Sequence, residues 1–261
     1  MITDSIFKNN ILLGKNIIFA GGSSGIGAES AKLAANLGAN VILIARNDKN
    51  LIKVKNSLKN KKNQSHEAII CDLSNFDFVS EIFSKIRLNH GLIDGIVWTA
   101  GEEIIKQPRA TKIDDINKAF GASIFGLLGA SKTFSSKRFW NQSCSSIILI
   151  SSVASIKPNY GMTFYSASKA SISGIMKSMS VDLSKYNTRV NSLILGAIKT
   201  EMHNRITSRM SEEMINSYEK KHLFGFGQTK DISPMIIYLL SDASKWITGS
   251  EFVLDGGYLL S

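Results

Sequence analysis

The stretch Phe164-Tyr165-Ser166-Ala167-Ser168-Lys169 places a phenol four residues before an ammonium. On a helix, residues at that spacing share one face. A free tyrosine has a pKa of roughly 10, too high for ready proton exchange at neutral pH. A nearby cation favours the phenolate and lowers that value. An acid works best with a pKa near the working pH. Tyr165 and Lys169 therefore read as a proton donor tuned by a cation, with a solvated helix face as the plain alternative. Ser152 lies thirteen residues before Tyr165, at the end of the apolar run 146–150. A hydroxyl there can hold a substrate carbonyl and steady charge developing on its oxygen. Strand alternation sends the side chain of Ser151 the other way.

The elements that must position this group are legible as short apolar runs alternating with amphipathic stretches. Runs at 16–20, 41–45, 68–71, 95–98, 146–150, 190–194 and 251–254 read as strands. Helical spacing is predicted from Ile26 to Leu37, from 46 to about Lys61, over 75–88, over 111–137 and over 164–186. The strands are apolar throughout, as expected when helices cover both faces of a parallel sheet. The repeated β–α order predicts one α/β domain spanning 1–261, a Rossmann-type doubly wound seven-stranded parallel sheet with helices on both faces.

Between the first strand and first helix runs Ala20-Gly21-Gly22-Ser23-Ser24-Gly25-Ile26-Gly27. Glycines there let the backbone approach a ligand. The helix N-terminus behind them offers free N–H groups to a pyrophosphate. Glycine spacing is a weak signal alone and a strong one between a strand and a helix.

This turn, with Ser152, Tyr165 and Lys169 in register, resembles the short-chain dehydrogenase/reductase family, whose glycine motif is TGxxxGIG. The resemblance covers almost the whole chain. Ala20 stands at the motif's threonine, whose hydroxyl braces the turn in relatives. The resemblance implies a nicotinamide dinucleotide held by Gly21, Ser23, Ser24, Gly25, Ile26 and Gly27, with Asp72 at the adenine ring beside Leu73. Asp72 also suits a helix N-cap, a place for which Ser74 competes. Trp98-Thr99-Ala100-Gly101 is similar to the family's NNAG segment; both asparagines differ, while Ala100 and Gly101 keep the small turn. Ser123 stands at the family's catalytic asparagine, whose backbone carbonyl holds a relay water to the lysine. Ile198 matches the backbone that meets the nicotinamide amide, and Thr200 matches a cofactor hydrogen bond. Leu195 replaces a proline of this segment. Tyr165 and Lys169 also touch the cofactor ribose in relatives. Residues 198–226 match the substrate lid, and the ending Gly249 to Gly257 matches TGxxxxxDGG, an interface of homotetramers.

A carboxylate at the end of the second strand selects NAD, and an arginine selects the phosphate of NADP. Here Ala45 and Arg46 stand there, so NADP(H) is expected over NAD(H), with Asp48 nearby. The expected activity is NADP(H)-dependent hydride transfer between nicotinamide and a carbonyl or alcohol. A 3-oxoacyl thioester on an acidic carrier is the first candidate substrate, with Lys137, Arg138 and Lys185 as docking residues beside the site. A ketosugar or nucleotide-sugar comes next. A catalytically silent cofactor-binding sensor or oligomeric partner is the alternative of another class, raised by the altered positions 98, 99, 123 and 195.

The net charge is +10, from 31 basic and 21 acidic residues. The lysines are dispersed apart from Lys59-Asn60-Lys61-Lys62, and no nucleic-acid motif is present. Cys71 and Cys144, with four scattered histidines, form neither a disulfide framework nor a metal site. The N-terminus, with Asp4, shows no secretory signal, and no apolar run is membrane-length. A cytoplasmic homotetramer without membrane or nucleic-acid partners is expected.

Overall fold

The computed structural model describes residues 7–60 and 63–261. The N-terminal residues 1–6, and Lys61 and Lys62 at the expected end of the second helix, lie outside the described residues. Strand β1 (Asn16–Ala20) leads into helix α1 (Gly25–Asn36), then β2 (Asn40–Ala45), α2 (Asp48–Ser57), β3 (His66–Ile70), α3 (Phe76–His90) and β4 (Gly95–Trp98). Helices α4 (Ile113–Phe120) and α5 (Gly126–Phe134) precede β5 (Ser145–Ser152), α6 (Thr163–Ser184) and β6 (Thr188–Leu195). The chain then makes an excursion through β7 (Ile198–Lys199), α7 (Glu201–Thr207), α8 (Glu212–Lys220) and β8 (Gly227–Gln228). It ends with α9 (Thr229–Leu240) and β9 (Glu251–Leu254).

Seven strands form one parallel sheet in the order β3-β2-β1-β4-β5-β6-β9. The chain starts at the centre, moves outward to β3, and crosses back to place β4 beside β1. The loops leaving β1 and β4 therefore diverge and open a crevice at the C-terminal strand ends. Alternation along each strand divides the core in two. Ile17 and Phe19 of β1 pack with Ala31 and Ala34 of α1 and Ile236 and Leu240 of α9. Ile18 and Ala20 face the other layer, with Phe83 of α3, Leu127 of α5 and Met176 of α6.

Two elements depart from the sequence pattern. The single helix expected over 111–137 is broken by a π-helical turn, Gly121–Phe125, between α4 and α5. A side chain at Gly126 would place its Cβ 1.8 Å from the Leu73 carbonyl oxygen. The helix is thus pressed against the loop after β3, and the wider turn adjusts its register there. Helix α9 is absent from the sequence-based expectation; Pro234 interrupts its apolar pattern. Among the described residues no helix is long and apolar enough to cross a membrane.

Candidate active site

A cleft of about 1740 Å³ lies over the C-terminal strand ends. Gly21, Ser23, Ser24, Gly25, Ile26, Gly27, Arg46, Asp72, Leu73, Ala100, Gly101, Ser152, Tyr165, Lys169, Ile198 and Thr200 all line it. Ser123 does not: it is buried and its hydroxyl donates to the Ala119 carbonyl at 2.7 Å. It sits in the π turn behind Gly101, where a Cβ on Gly101 would meet Ser123 Cβ at 3.4 Å and Lys169 Nζ at 3.5 Å.

The glycine turn is shaped for a ligand. Gly21 has φ +93° and Gly25 φ +54°. The capping residue of α1, Ser24, makes no side-chain cap bond, and the first turn of α1 carries no acid. Its N–H groups and the Ser24 hydroxyl are thus left to an anion. Bracing comes from an unexpected place. Thr99 Oγ1 donates to the Ala20 carbonyl at 3.0 Å and the Gly21 carbonyl at 3.2 Å. Cβ atoms on Gly21 or Gly27 would lie 2.5 and 2.7 Å from that same oxygen. Thr99, just after β4, thus supplies the hydroxyl that Ala20 lacks. Trp98 likewise has its own partner, donating to the Ala122 carbonyl at 2.9 Å.

The end of the cleft at Arg46 and Asp72 is less constrained. Arg46 is exposed, with one guanidinium nitrogen 3.5 Å from Glu102. Asp48 does not line the cleft; it begins α2, whose cap is Asn47. Asp72 accepts from the Ser74 N–H at 3.0 Å and the Ser74 hydroxyl at 2.8 Å. Neither Asp72 nor Ser74 caps α3; Asn75 does, accepting from Phe78 N–H. Thr200 caps α7, and its Cγ2 would lie 3.2 Å from a Cβ on Gly25. The Gly25 end of the glycine turn thus meets the start of α7.

At the other end, small polar residues let α6 approach β5 closely. Ser151 Oγ donates to the Lys169 carbonyl at 2.9 Å, Ser168 Oγ to the Tyr165 carbonyl, and Ser166 Oγ to the Ala154 carbonyl. The Ser151 hydroxyl is thus taken up by the α6 backbone although the residue borders the cleft. Ser152 Oγ accepts from Ala154 N–H at 3.2 Å and is hydrogen-bonded to the Tyr165 phenol. Lys169 Nζ donates to the Ile150 carbonyl at 3.0 Å and lies 5.8 Å from the Tyr165 ring centre.

A family model described as enoyl-(acyl carrier protein) reductase matches residues 20–259. Carbonyl reductase family member 4 of Xenopus laevis is 32% identical over 240 residues, covering 92% of this chain and 96% of that protein. The chain belongs to the short-chain dehydrogenase/reductase family. The FabG 3-oxoacyl-[acyl-carrier-protein] reductase of Rickettsia felis is 29% identical, covering 95% of this chain and 98% of that one. Among solved structures, a 4-hydroxyisoleucine dehydrogenase complexed with NADH superimposes with a TM-score of 0.85 at 27% identity, covering 95% and 100% of the two chains. This short-chain dehydrogenase/reductase is an oxidoreductase of the nicotinamide-using kind.

Its electrostatics differ from the expectation that Lys169 lowers the Tyr165 phenol. Burial pushes Tyr165 up, the charge of Glu103 pushes it further, and the Ser152 hydrogen bond opposes. Burial also lowers Lys169 to about 8, which the Glu103 carboxylate partly offsets. The amine is turned onto a carbonyl, and burial is the largest influence on the phenol, so desolvation governs it. Glu103 had no sequence signal beyond following Ala100-Gly101. Burial raises it to about 7, with Lys169 and Arg205 opposing.

His222 is a second residue that spacing did not reveal. Its Nε2 accepts from Ala197 N–H at 3.1 Å, and its Nδ1 lies 3.1 Å from the Tyr218 carbonyl. Those bonds tie the 198–226 excursion to the turn after β6. A correction concerns Lys137, Arg138 and Lys185, expected beside the site. They follow the C-terminal ends of α5 and α6. Tyr165 is near the start of α6, whose 22 residues span about 30 Å. Besides Arg46 and Lys169, the basic residues that line the cleft are Lys118, Lys157, Arg205, Arg209 and Lys221.

Proposed function

We propose that the protein reduces a ketone with NADP(H), with Tyr165 as the proton donor. The observation that carries this is one cleft lined by the glycine turn, Arg46 and the Ser152–Tyr165–Lys169 group. Gly21 to Gly27, Asp72, Ala100, Ile198 and Thr200 would hold the dinucleotide, with Arg46 available to a 2′-phosphate. Bound reduced nicotinamide supplies the hydride to the carbonyl carbon. Ser152 donates a hydrogen bond to the carbonyl oxygen and positions it. The Tyr165 O–H bond breaks as its proton passes to that oxygen. Burial keeps the phenol protonated at neutral pH, so its proton leaves only as charge forms on the substrate oxygen with the Lys169 cation nearby. Lys169 lies behind the phenol and returns positive charge as phenolate forms.

For substrate, the relatives favour a 3-oxoacyl thioester, and Arg209 and Lys221 are the cations that an acidic carrier would meet. A second class, hydroxylated ketones such as ketosugars, is favoured by the carboxyl of Glu103 in the same cleft. We further infer a homotetramer, supported by exposed Phe224, Trp246 and Val253 around the C-terminal strand; light scattering tests it. The activity test is loss of reduced-nicotinamide absorbance with acetoacetyl thioester and with hydroxyketones, using NADPH and NADH in parallel. Turnover with NADPH that drops by about 100-fold or more in Tyr165→Phe is expected. Unchanged turnover in that variant sinks the acid assignment, and a preference for NADH sinks the role of Arg46.

A further inference from the structure

Residues 102 and 103 are consecutive glutamates with different surroundings. Glu102 meets Arg46 at 3.5 Å, toward the adenosine end. Glu103 lies at the reactive end. It is half-buried, it lines the cleft, and its charge acts on Tyr165, Lys169 and Tyr218. Arg205 of the lid acts on it in turn. None of these groups closes a hydrogen bond or ion pair on its carboxyl among the described residues. A recessed carboxylate without partners costs free energy that a structural role would not justify. Against a methylene chain it would gain nothing. Against a hydroxyl or ammonium it forms a charge-assisted hydrogen bond, among the strongest available to a binding site.

We propose that Glu103 is a specificity-determining residue that accepts a hydrogen bond from a donor group, hydroxyl or ammonium, on a carbon next to the substrate's reacting carbonyl. This rests on Tyr165 being the proton donor, because the phenol fixes where that carbonyl sits. It makes the substrate a small polar ketone, or the matching alcohol, in preference to an unsubstituted one. Burial places the Glu103 carboxyl near 7, so a donor entering the cleft draws it into its ionised form.

Three ketones with one carbon skeleton provide the test: 2-butanone, 3-hydroxy-2-butanone and 3-amino-2-butanone. Wild type is expected to favour the hydroxy or amino ketone over butanone by about 10- to 100-fold in kcat/KM. Glu103→Ala should bring those ratios to within about threefold, the loss falling mainly on the hydroxy and amino ketones. Glu103→Gln, a better-tolerated variant, should keep part of the hydroxyl preference through its amide oxygen and lose any ammonium preference. The hydroxy and amino arms thereby separate the two donors. A wild-type preference for butanone overturns the proposal. So does an equal slowing of all three substrates in Glu103→Ala, the signature of an effect through Lys169. If wild type reduces none of them, calorimetry with oxidised cofactor and either 2,3-butanediol or 2-butanol decides. Diol-selective binding lost in Glu103→Ala upholds the site and sinks only the reductase proposal; equal binding of both alcohols sinks the site too.

Discussion

Lys169→Met should stabilise the fold while abolishing turnover. Lys169 is 7% exposed and its pKa falls from 10.5 to about 8. A shift of that size corresponds to about 3 kcal/mol of disfavoured charge at neutral pH. Methionine fills similar space without a charge. It leaves the Ile150 carbonyl without the 3.0 Å bond from Nζ, a loss of about 1 kcal/mol. The net gain is about 2 kcal/mol, or about 4–8 °C in Tm for a chain of this size. The sign with pH follows from the depressed pKa. Between pH 8 and 10.5 the unfolded chain binds more protons than the folded one, so wild-type stability rises across that window. The advantage of the variant must therefore shrink as pH rises from 8 toward 10.5. Calorimetric melts at pH 7 and pH 10 read both effects. A variant that melts at or below wild type at pH 7, or a gap that does not narrow with pH, would refute a desolvated amine kept for function.

Arg46→Ala should weaken NADPH by about 10- to 100-fold in kcat/KM and leave NADH nearly unchanged, read in parallel steady-state assays. Thr99→Val removes the hydroxyl that ties Ala20 and Gly21 and should raise the KM for cofactor by about fivefold without lowering kcat; Thr99→Ser should restore it. Burial lowers His222, whose neutral Nε2 accepts the Ala197 N–H. Its stabilising contribution is present above the unfolded value of 6.5 and fades as pH falls below it. Wild-type Tm should accordingly drop on acidification, and His222→Gln should flatten that dependence, although His66 and His203 share its direction.

What was legible in the sequence depended on whether the signal was local. The strands were readable because both sheet faces are covered, so each strand is an unbroken apolar run. Tyr165 and Lys169 were readable because one helical turn fixes their relation, and Ser152 because it ends a strand. The cofactor turn was readable because its glycines are adjacent in sequence. The brace on that turn was not, since Thr99 reaches Ala20 only through the pairing of β1 with β4. The break between α4 and α5 depends on the distant Leu73 carbonyl, and the electrostatics of Glu103 depend on Lys169 of α6 and Arg205 of α7. Lys137, Arg138 and Lys185 were misplaced because sequence shows which helix a residue belongs to more readily than which end of that helix faces the site.

The same locality explains why the proton chemistry differs from the pair logic of spacing. A phenol and an ammonium one turn apart suggest mutual stabilisation of charge. In the fold both are enclosed, and enclosure pushes each toward its neutral form: the phenol up, the amine to about 8, and the Glu103 carboxyl up to about 7. Near neutral pH the phenol is thus uncharged and the Glu103 carboxyl only part-ionised, while Lys169, at about 8, keeps most of its charge. Any negative charge that develops on a substrate oxygen has few competing charges to meet in the protein. In the proposed reaction Lys169 and Ser152 answer it where it forms, and Tyr165 holds its proton until that moment. Replacing Glu103 by Gln removes the one negative charge that supports the Lys169 ammonium, so the alkaline fall in turnover should begin at lower pH than in wild type. A pH–rate profile that is unmoved by that substitution would show that Glu103 and Lys169 titrate independently.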